Sequence, residues 1–413
     1  MIYNESKYNR EWEIKKLSQL GTFARGKSKH RPRNDKRLFE GGGYPLVQTG
    51  EIKDANLYIT HHSQEYGEFG LKQSKMWDAE TLCITIAANI AETALLSYPM
   101  CFPDSVVGFR ANKGVSSEKF MYYVFDYIKH FIQNSASGSA QDNINIEYLT
   151  TLDFKIPPKK MQDKIVETLF CIDKKILLNN KINDNLQQQL KLMYDYWFTQ
   201  FDYPNKEGKP YRSSGGTMRW NEELKRDIPD GWIVKTLGEI LCKNTESFDY
   251  KTIQPAIDLS VMSSDTIALS QLNSSENFNT NLFVMKQGDI LFGSIRPYLH
   301  KAGFAPIDGV VAGTVHSYRV KNPTDYNFAL FTLCRNEFFD YAVNVSSGTK
   351  MPVISSDSLL SYKLPYSEEI AAAFNQVAIV DTISQNIQET IRLNNLRNFL
   401  LPMLMNGQAT IED

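Results

Sequence analysis

A chain of 413 residues is too long for one small core and is sized for two domains plus connecting structure. Its 42% hydrophobic and 22% charged content argues against disorder, no run approaches about eighteen apolar residues, and the five cysteines and six histidines are too scattered for a zinc site. A net charge of −2 gives no bulk attraction to nucleic acid, so any phosphate affinity must be local or supplied by partners.

The polar, mixed-charge residues 1–16 do not read as a secretory signal, and a reduced cytoplasmic protein is expected. The chain then repeats itself at about half its length. Trp12-Glu13-Ile14-Lys15-Lys16-Leu17 returns as Trp232-Ile233-Val234-Lys235-Thr236-Leu237, Ser137-Gly138-Ser139 as Ser347-Gly348-Thr349, and Lys155-Ile156-Pro157 as Lys363-Leu364-Pro365. Each half closes on a long apolar-periodic segment, giving the order globular domain, helix, globular domain, helix.

The first domain is expected over residues 1–158. Strand-like runs at 44–47 and 81–86 alternate with Gly/Asn turns, and a helical patch covers 117–134, which reads as α+β. The first long helix, 159–200, should start after Pro157-Pro158. Its seam runs Ile165, Leu169, Ile172, Ile176, Asn179, Asn183, Leu186, Leu190, Met193, Trp197 in steps of four and three, the spacing of a coiled coil. Asn179 and Asn183 suit a register-fixing polar layer, and a bundle core helix is the alternative. Residues 201–230, rich in Pro, Gly and polar side chains, read as a surface linker, and Ile228-Pro229-Asp230-Gly231 as a turn into the second domain, 231–366. That domain has a strand-like run at 289–292 and a helical patch at 328–341. The second long helix, 367–407, carries Phe374, Val377, Val380, Ile383, Ile387 and Ile391, then Leu393, Leu396 and Leu400, with looser spacing and Gly407 as a stop. Two single seams of similar length bury each other most economically, and an antiparallel pair is expected.

Gly21-Thr22-Phe23-Ala24-Arg25-Gly26-Lys27-Ser28 fits the P-loop pattern, but no apolar strand precedes it and Pro32 with dense charge opposes a helix after it. The same segment reads better as a DNA contact loop. Arg25, Lys27, Lys29, Arg31, Arg33, Lys36 and Arg37, with His30, face only Asp35; such density anchors phosphates, and arginine also forks onto guanine. A merely solvated basic loop is the plain alternative. In the second half, Ser294, Arg296, Tyr298, His300 and Lys301 cluster between Gly293 and Gly303, where an ordinary hairpin would also fit. The repeated Ser-Gly elements add Gln141 and Asn143 in one half and Lys350 in the other. No glycine-rich S-adenosylmethionine loop, target-adenine motif or nuclease cluster is evident, Asn322-Pro323-Thr324-Asp325 being the nearest and a poor fit. The sequence offers no catalytic residue, metal ligand or cofactor site.

In this order of parts the chain resembles the specificity subunits of type I restriction-modification systems over nearly its whole length. The specific marks are Ile228-Pro229-Asp230-Gly231-Trp232 with Leu237-Gly238-Glu239-Ile240, then Tyr196-Trp197-Phe198 with Phe201-Asp202, and Leu396-Arg397-Asn398-Phe399-Leu400-Leu401-Pro402-Met403-Leu404. Ala87-Ala88-Asn89-Ile90-Ala91 with Cys101-Phe102-Pro103-Asp104 looks like a first target-recognition domain, which adds Asn89 to the contact candidates, and the run from Gly288 to Tyr298 looks like a second. The resemblance implies an α+β fold of two target-recognition domains separated by a pair of long antiparallel coiled-coil helices, with a pseudo-twofold internal repeat. It implies a non-catalytic subunit that reads a bipartite double-stranded DNA site. It also implies docking of two modification subunits, which hold S-adenosylmethionine and methylate adenine, and of restriction subunits that use ATP to translocate and cleave. No membrane partner is implied. A helix of about 40 residues spans roughly 60 Å, ample for half-sites roughly 34–36 Å apart. A coiled-coil scaffold without DNA preference and, at a distance, a P-loop NTPase are the other function classes.

Overall fold

The computed structural model describes residues 4–55, 57–87, 89–137 and 146–411. The chain forms two compact units, Met1–Leu177 with Leu393–Asp413, and Leu178–Arg392.

The first unit contains β1 (Glu13–Lys16), β2 (Gly21–Arg25), β3 (Tyr44–Leu46), β4 (Tyr58–Ile59), β5 (Gln64–Tyr66), β6 (Met76–Trp77), β7 (Leu82–Thr85), β8 (Thr93–Leu96), β9 (Met100–Cys101), β10 (Val106–Ala111) and β11 (Asp153–Ile156), with helix Glu118–Ser137 before the last. Its main sheet runs β2-β10-β7-β8-β4, a second runs β5-β3-β9-β6, and β1 pairs with β11. Side chains alternate across a strand, and the main sheet uses both faces. Leu82 and Ile84 face a core shared with Phe120, Tyr123 and Ile128 of the helix, while Cys83 faces Trp77 and Phe102 on the other side. That double burial is why β7 reads as an unbroken apolar run.

The second unit repeats this plan. It contains a hairpin, β12 (Met218–Asn221) and β13 (Arg226–Pro229), followed by β14 (Ile233–Thr236), β15 (Leu241–Lys243), β16 (Pro255–Ile257), β17 (Asn273–Ser274), β18 (Leu282–Met285), β19 (Ile290–Gly293), β20 (Ala302–Phe304), β21 (Gly309–Ala312), β22 (Val315–Val320) and β23 (Lys363–Tyr366). Its main sheet is β15-β22-β19-β20, its second β17-β16-β21-β18, and β14 pairs with β23 as β1 does with β11. The parallel pair β3–β9 has its counterpart in β16–β21. Ile290 and Phe292 face one core and Leu291 the other, as in β7.

The long helices are Lys159–Tyr194, extended by a π-turn Asp195–Thr199, and Ile379–Met405. In the second unit Asn179 donates to Glu389 at 2.8 Å and Asn386 donates to Asn183 at 2.9 Å. The partner number falls as the helix advances, so the pairing is antiparallel. In the first unit Ile165 and Leu169 share a core with Leu401, Leu404 and Met405. Of the expected seam residues, Ile165, Leu169, Ile176, Asn179, Asn183 and Leu190 are buried and Ile172 and Leu186 half-buried.

Three expectations change. The second helix does not run unbroken over 367–407: a short helix, Glu368–Asn375, ends in a turn before Ile379. Asn327 donates to the carbonyls of Phe374 and Val377 at 3.3 Å, satisfying groups that an uninterrupted helix would have used itself. The seam of the second helix is also tighter than expected. It passes through Val380, Ile383, Ile387, Thr390, Asn394, Arg397, Leu401 and Leu404, while Ile391 is half-buried and Leu396 is 45% exposed. Lastly, residues 201–230 are not a bare surface linker. Phe201 and Tyr203 are buried, and Tyr203 stacks on Tyr211 at 4.8 Å and on Trp232 at 5.3 Å. Asp202 accepts from the Ser213 backbone at 2.7 Å, closing the loop.

Candidate nucleic-acid interface

In the first unit the P-loop letters fall on β2, which pairs along β10, and the Gly26 N–H continues that ladder to the Val106 carbonyl at 2.9 Å. A Cβ at Gly21 would collide with Phe109, and one at Gly26 with the Phe102 and Pro103 carbonyls, so both glycines serve close backbone approach. No helix follows whose N-terminus could hold phosphates; the chain reaches only the single turn Lys36–Leu38.

The cations of this segment divide into two groups. Asp104 takes Arg33 at 2.5 Å and Arg31 at 3.4 Å, and Asp35 takes His30 and Arg37, each at 2.7 Å. The Arg37 guanidinium, then the His30 ring, hold the Asp35 carboxyl well below the usual carboxylate range. Asp35 also accepts from the Arg37 backbone at 3.0 Å, capping the turn. Arg25, Lys27, Lys29 and Lys36 are exposed, and among the described residues their side chains have no ion pair or hydrogen bond. The seven cations fall together in residues 25–37, whereas Asp104, which takes two of them, lies far along the chain and outside any local spacing.

In the second unit the candidates lie between β19 and β20. Ser294 is buried and donates to the Thr314 carbonyl at 2.8 Å, so it serves the fold and not the exposed surface, contrary to expectation. Lys301 is likewise occupied, its Nζ on the Leu259 carbonyl at 2.6 Å. His300 stacks on Phe339 with centroids 4.4 Å apart, and its Nδ1 lies 2.9 Å from Asp265. Arg296 and Tyr298 are exposed. The structure brings Lys350 to them: the Arg296 N–H donates to the Pro352 carbonyl at 2.7 Å, and the Ile354 N–H to the Ser294 carbonyl at 2.9 Å. Met351, 51% exposed beside Lys350, was not singled out from sequence, although Gly348 in a Ser-Gly-Thr-Lys-Met-Pro run signals the tight hairpin that presents it.

Asn89 occupies the equivalent turn of the first unit, between β7 and β8, half-buried, with its carbonyl accepting from the Thr85 hydroxyl. Gln141 and Asn143 lie outside the described residues. Among the described residues no group of His, Cys, Asp or Glu could hold a metal ion, and no helix is long and apolar enough to cross a membrane.

A family model described as type I restriction modification DNA specificity domain matches residues 9–188. The MjaIX type I specificity subunit of Methanocaldococcus jannaschii is 24% identical over 241 residues, covering 57% of this chain and 52% of that protein. The EcoDI specificity subunit of Escherichia coli is 30% identical over 132 residues, 30% of this chain and 29% of that one. The matches thus span about half, or less, of these relatives' own length. In fold, the type I S subunit from M. genitalium superposes with a TM-score of 0.58 at 16% identity, covering 98% of this chain and 99% of that one. Residues 9–188 thus match the type I restriction modification DNA specificity domain, and with its repeated topology and paired long helices the chain has the fold of a type I S subunit.

Proposed function

We propose that this chain reads a bipartite double-stranded DNA sequence, one half-site per globular unit, and has no catalytic role itself. The observation that carries this reading is one topology built twice with different chemistry at its loops: free Arg25, Lys27, Lys29 and Lys36 in one unit, and Arg296, Tyr298 and Lys350 in the other. A scaffold needs no such divergence. Unpaired exposed cations supply phosphate affinity despite the net charge of −2.

Two modification subunits, carrying S-adenosylmethionine, dock on the long helices, and restriction subunits bring ATP-driven translocation and cleavage. Exposed apolar side chains support a docking role: Leu178 and Leu192 on the first helix, Leu396 and Phe399 on the second. The complex acts in the cytoplasm, where chromosomal DNA lies. The test is selection of random duplexes by the complex of this chain with its modification subunits. Enrichment of two short sequences at one fixed spacing supports the reading; enrichment of none returns the chain to the scaffold class.

A further inference from the structure

Among the described residues of 231–366, nearly every lysine and arginine has its charge engaged. Arg319 sits on Asp289, Lys286 on Asp308, Lys363 on Glu223, Arg335 on Glu337, and Lys235 over the Tyr366 ring. Only Lys243, Arg296 and Lys350 have neither an anion, an acceptor nor a ring at the charged end. Two of these three lie on segments hydrogen-bonded to each other, since Arg296 donates through its backbone to Pro352, two residues beyond Lys350. Neither 290–301 nor 341–354 contains an Asp or Glu.

Both segments are held rigidly. The turn Pro297–Leu299 is flanked by two non-glycine residues in the left-handed region, Arg296 and His300, each at φ +51°. Such backbone persists only where its surroundings impose it, and here His300 is pinned from behind by Phe339 and Asp265. The hairpin is closed by reciprocal bonds between Ser347 and Val353 at 3.0 and 2.9 Å, with Gly348 at φ +96°. At the exposed tips the unpaired cations stand beside Tyr298 and Met351, each 51% exposed.

Apolar tips alone would suit a protein partner. Cations on segments that carry no carboxylate of their own, Asp265 being paired with His300, favour a polyanion, and in the DNA major groove phosphates and guanine acceptors lie beside the thymine methyl, the one apolar group on its base edges. That groove also admits a two-stranded ribbon. We propose that the turn and the hairpin tip form one reading head that enters the major groove at the second half-site. Arg296 forks onto a guanine, Met351 and Tyr298 pack on a thymine methyl, and Lys350 holds a phosphate. This rests on the function proposed above.

The test measures binding of the complete complex with its modification subunits to its own selected site and to single-base variants of it. Arg296→Ala is made together with Arg296→Gly, which accepts the left-handed backbone, and melting temperatures confirm folding. Both variants should lose roughly tenfold or more of the discrimination at one G·C pair of the second half-site while the first half-site is read unchanged. Met351→Ala should reduce the penalty for replacing thymidine by deoxyuridine at one position of that half-site, and Met351→Ala with Tyr298→Ala should abolish it. Lys350→Ala should weaken all sequences alike and lower the salt slope by about one. Unchanged discrimination, or equal loss at both half-sites, overturns the head. Retained DNA reading with weakened subunit assembly also overturns it, identifying a protein-docking patch. An unsubstituted complex without a preferred split sequence overturns both this proposal and the function beneath it.

Discussion

Arg31 and Lys29 stand two residues apart in the basic loop, yet the structure gives them different work. Arg31 leans on Asp104 and on the Ser28 and His30 carbonyls, so it shapes the loop, while Lys29 projects with its charge free. A phosphate contact releases counterions only if its cation is not already neutralised. Lys27→Ala with Lys29→Ala should therefore weaken DNA binding by the assembled complex for all sequences and reduce the salt slope by about two, one for each phosphate left without its lysine. Arg31→Ala should change the slope by less than one. Titrations over a range of salt concentrations check this, and equal slopes for the two variants would contradict it. At this scale the sequence showed where charge is dense but not which charges are spent. Ser294 and Lys301 looked like the rest of their cluster until the Thr314 and Leu259 carbonyls, neighbours only in space, claimed them.

Among the elements, the first helix was legible because Ile165, Leu169, Ile176 and Leu190 are both apolar and inward. The second was legible only in part, since its inward positions include Thr390, Asn394 and Arg397, while apolar Leu396 faces out. The apolar period therefore departs from the seam. Phe201 and Tyr203 were hidden in the same way by the Pro- and Gly-rich composition around them. Arg397 explains its own place: it binds Asp173 and Asp126, each at 2.7 Å, and Tyr123 donates to Asp173 at 2.6 Å, joining both helices to helix Glu118–Ser137 within the first unit. Burial pushes the Asp173 carboxyl above its ordinary 3.8, against the pull of Arg397. A carboxyl with a raised pKa takes up a proton on folding, so its contribution is fully present below the ordinary value and is lost as pH rises through the raised one. Asp173→Asn removes that dependence. Relative to the variant, the unsubstituted protein should therefore lose melting temperature as pH climbs from about 4 upward through the raised pKa. A difference that stays constant with pH would contradict the assignment.

For the molecule as a whole, the duplicated α+β plan was readable from repeated short motifs, because Trp12 and Trp232 open matching β1 and β14 elements that pair with β11 and β23. Strand order within each unit was not, since the parallel pairs β3–β9 and β16–β21 join segments far apart in sequence and leave no local signature. The proposed role is that one chain chooses the DNA site for catalytic partners. The most direct measurement is methylome sequencing of host DNA with this chain present, deleted, and restored. N6-methyladenine should disappear from one split motif on deletion and return on restoration. Arg296→Gly should alter only one half of that motif. A methylome unchanged by deletion, with the modification subunits shown to be present and active, would contradict that role.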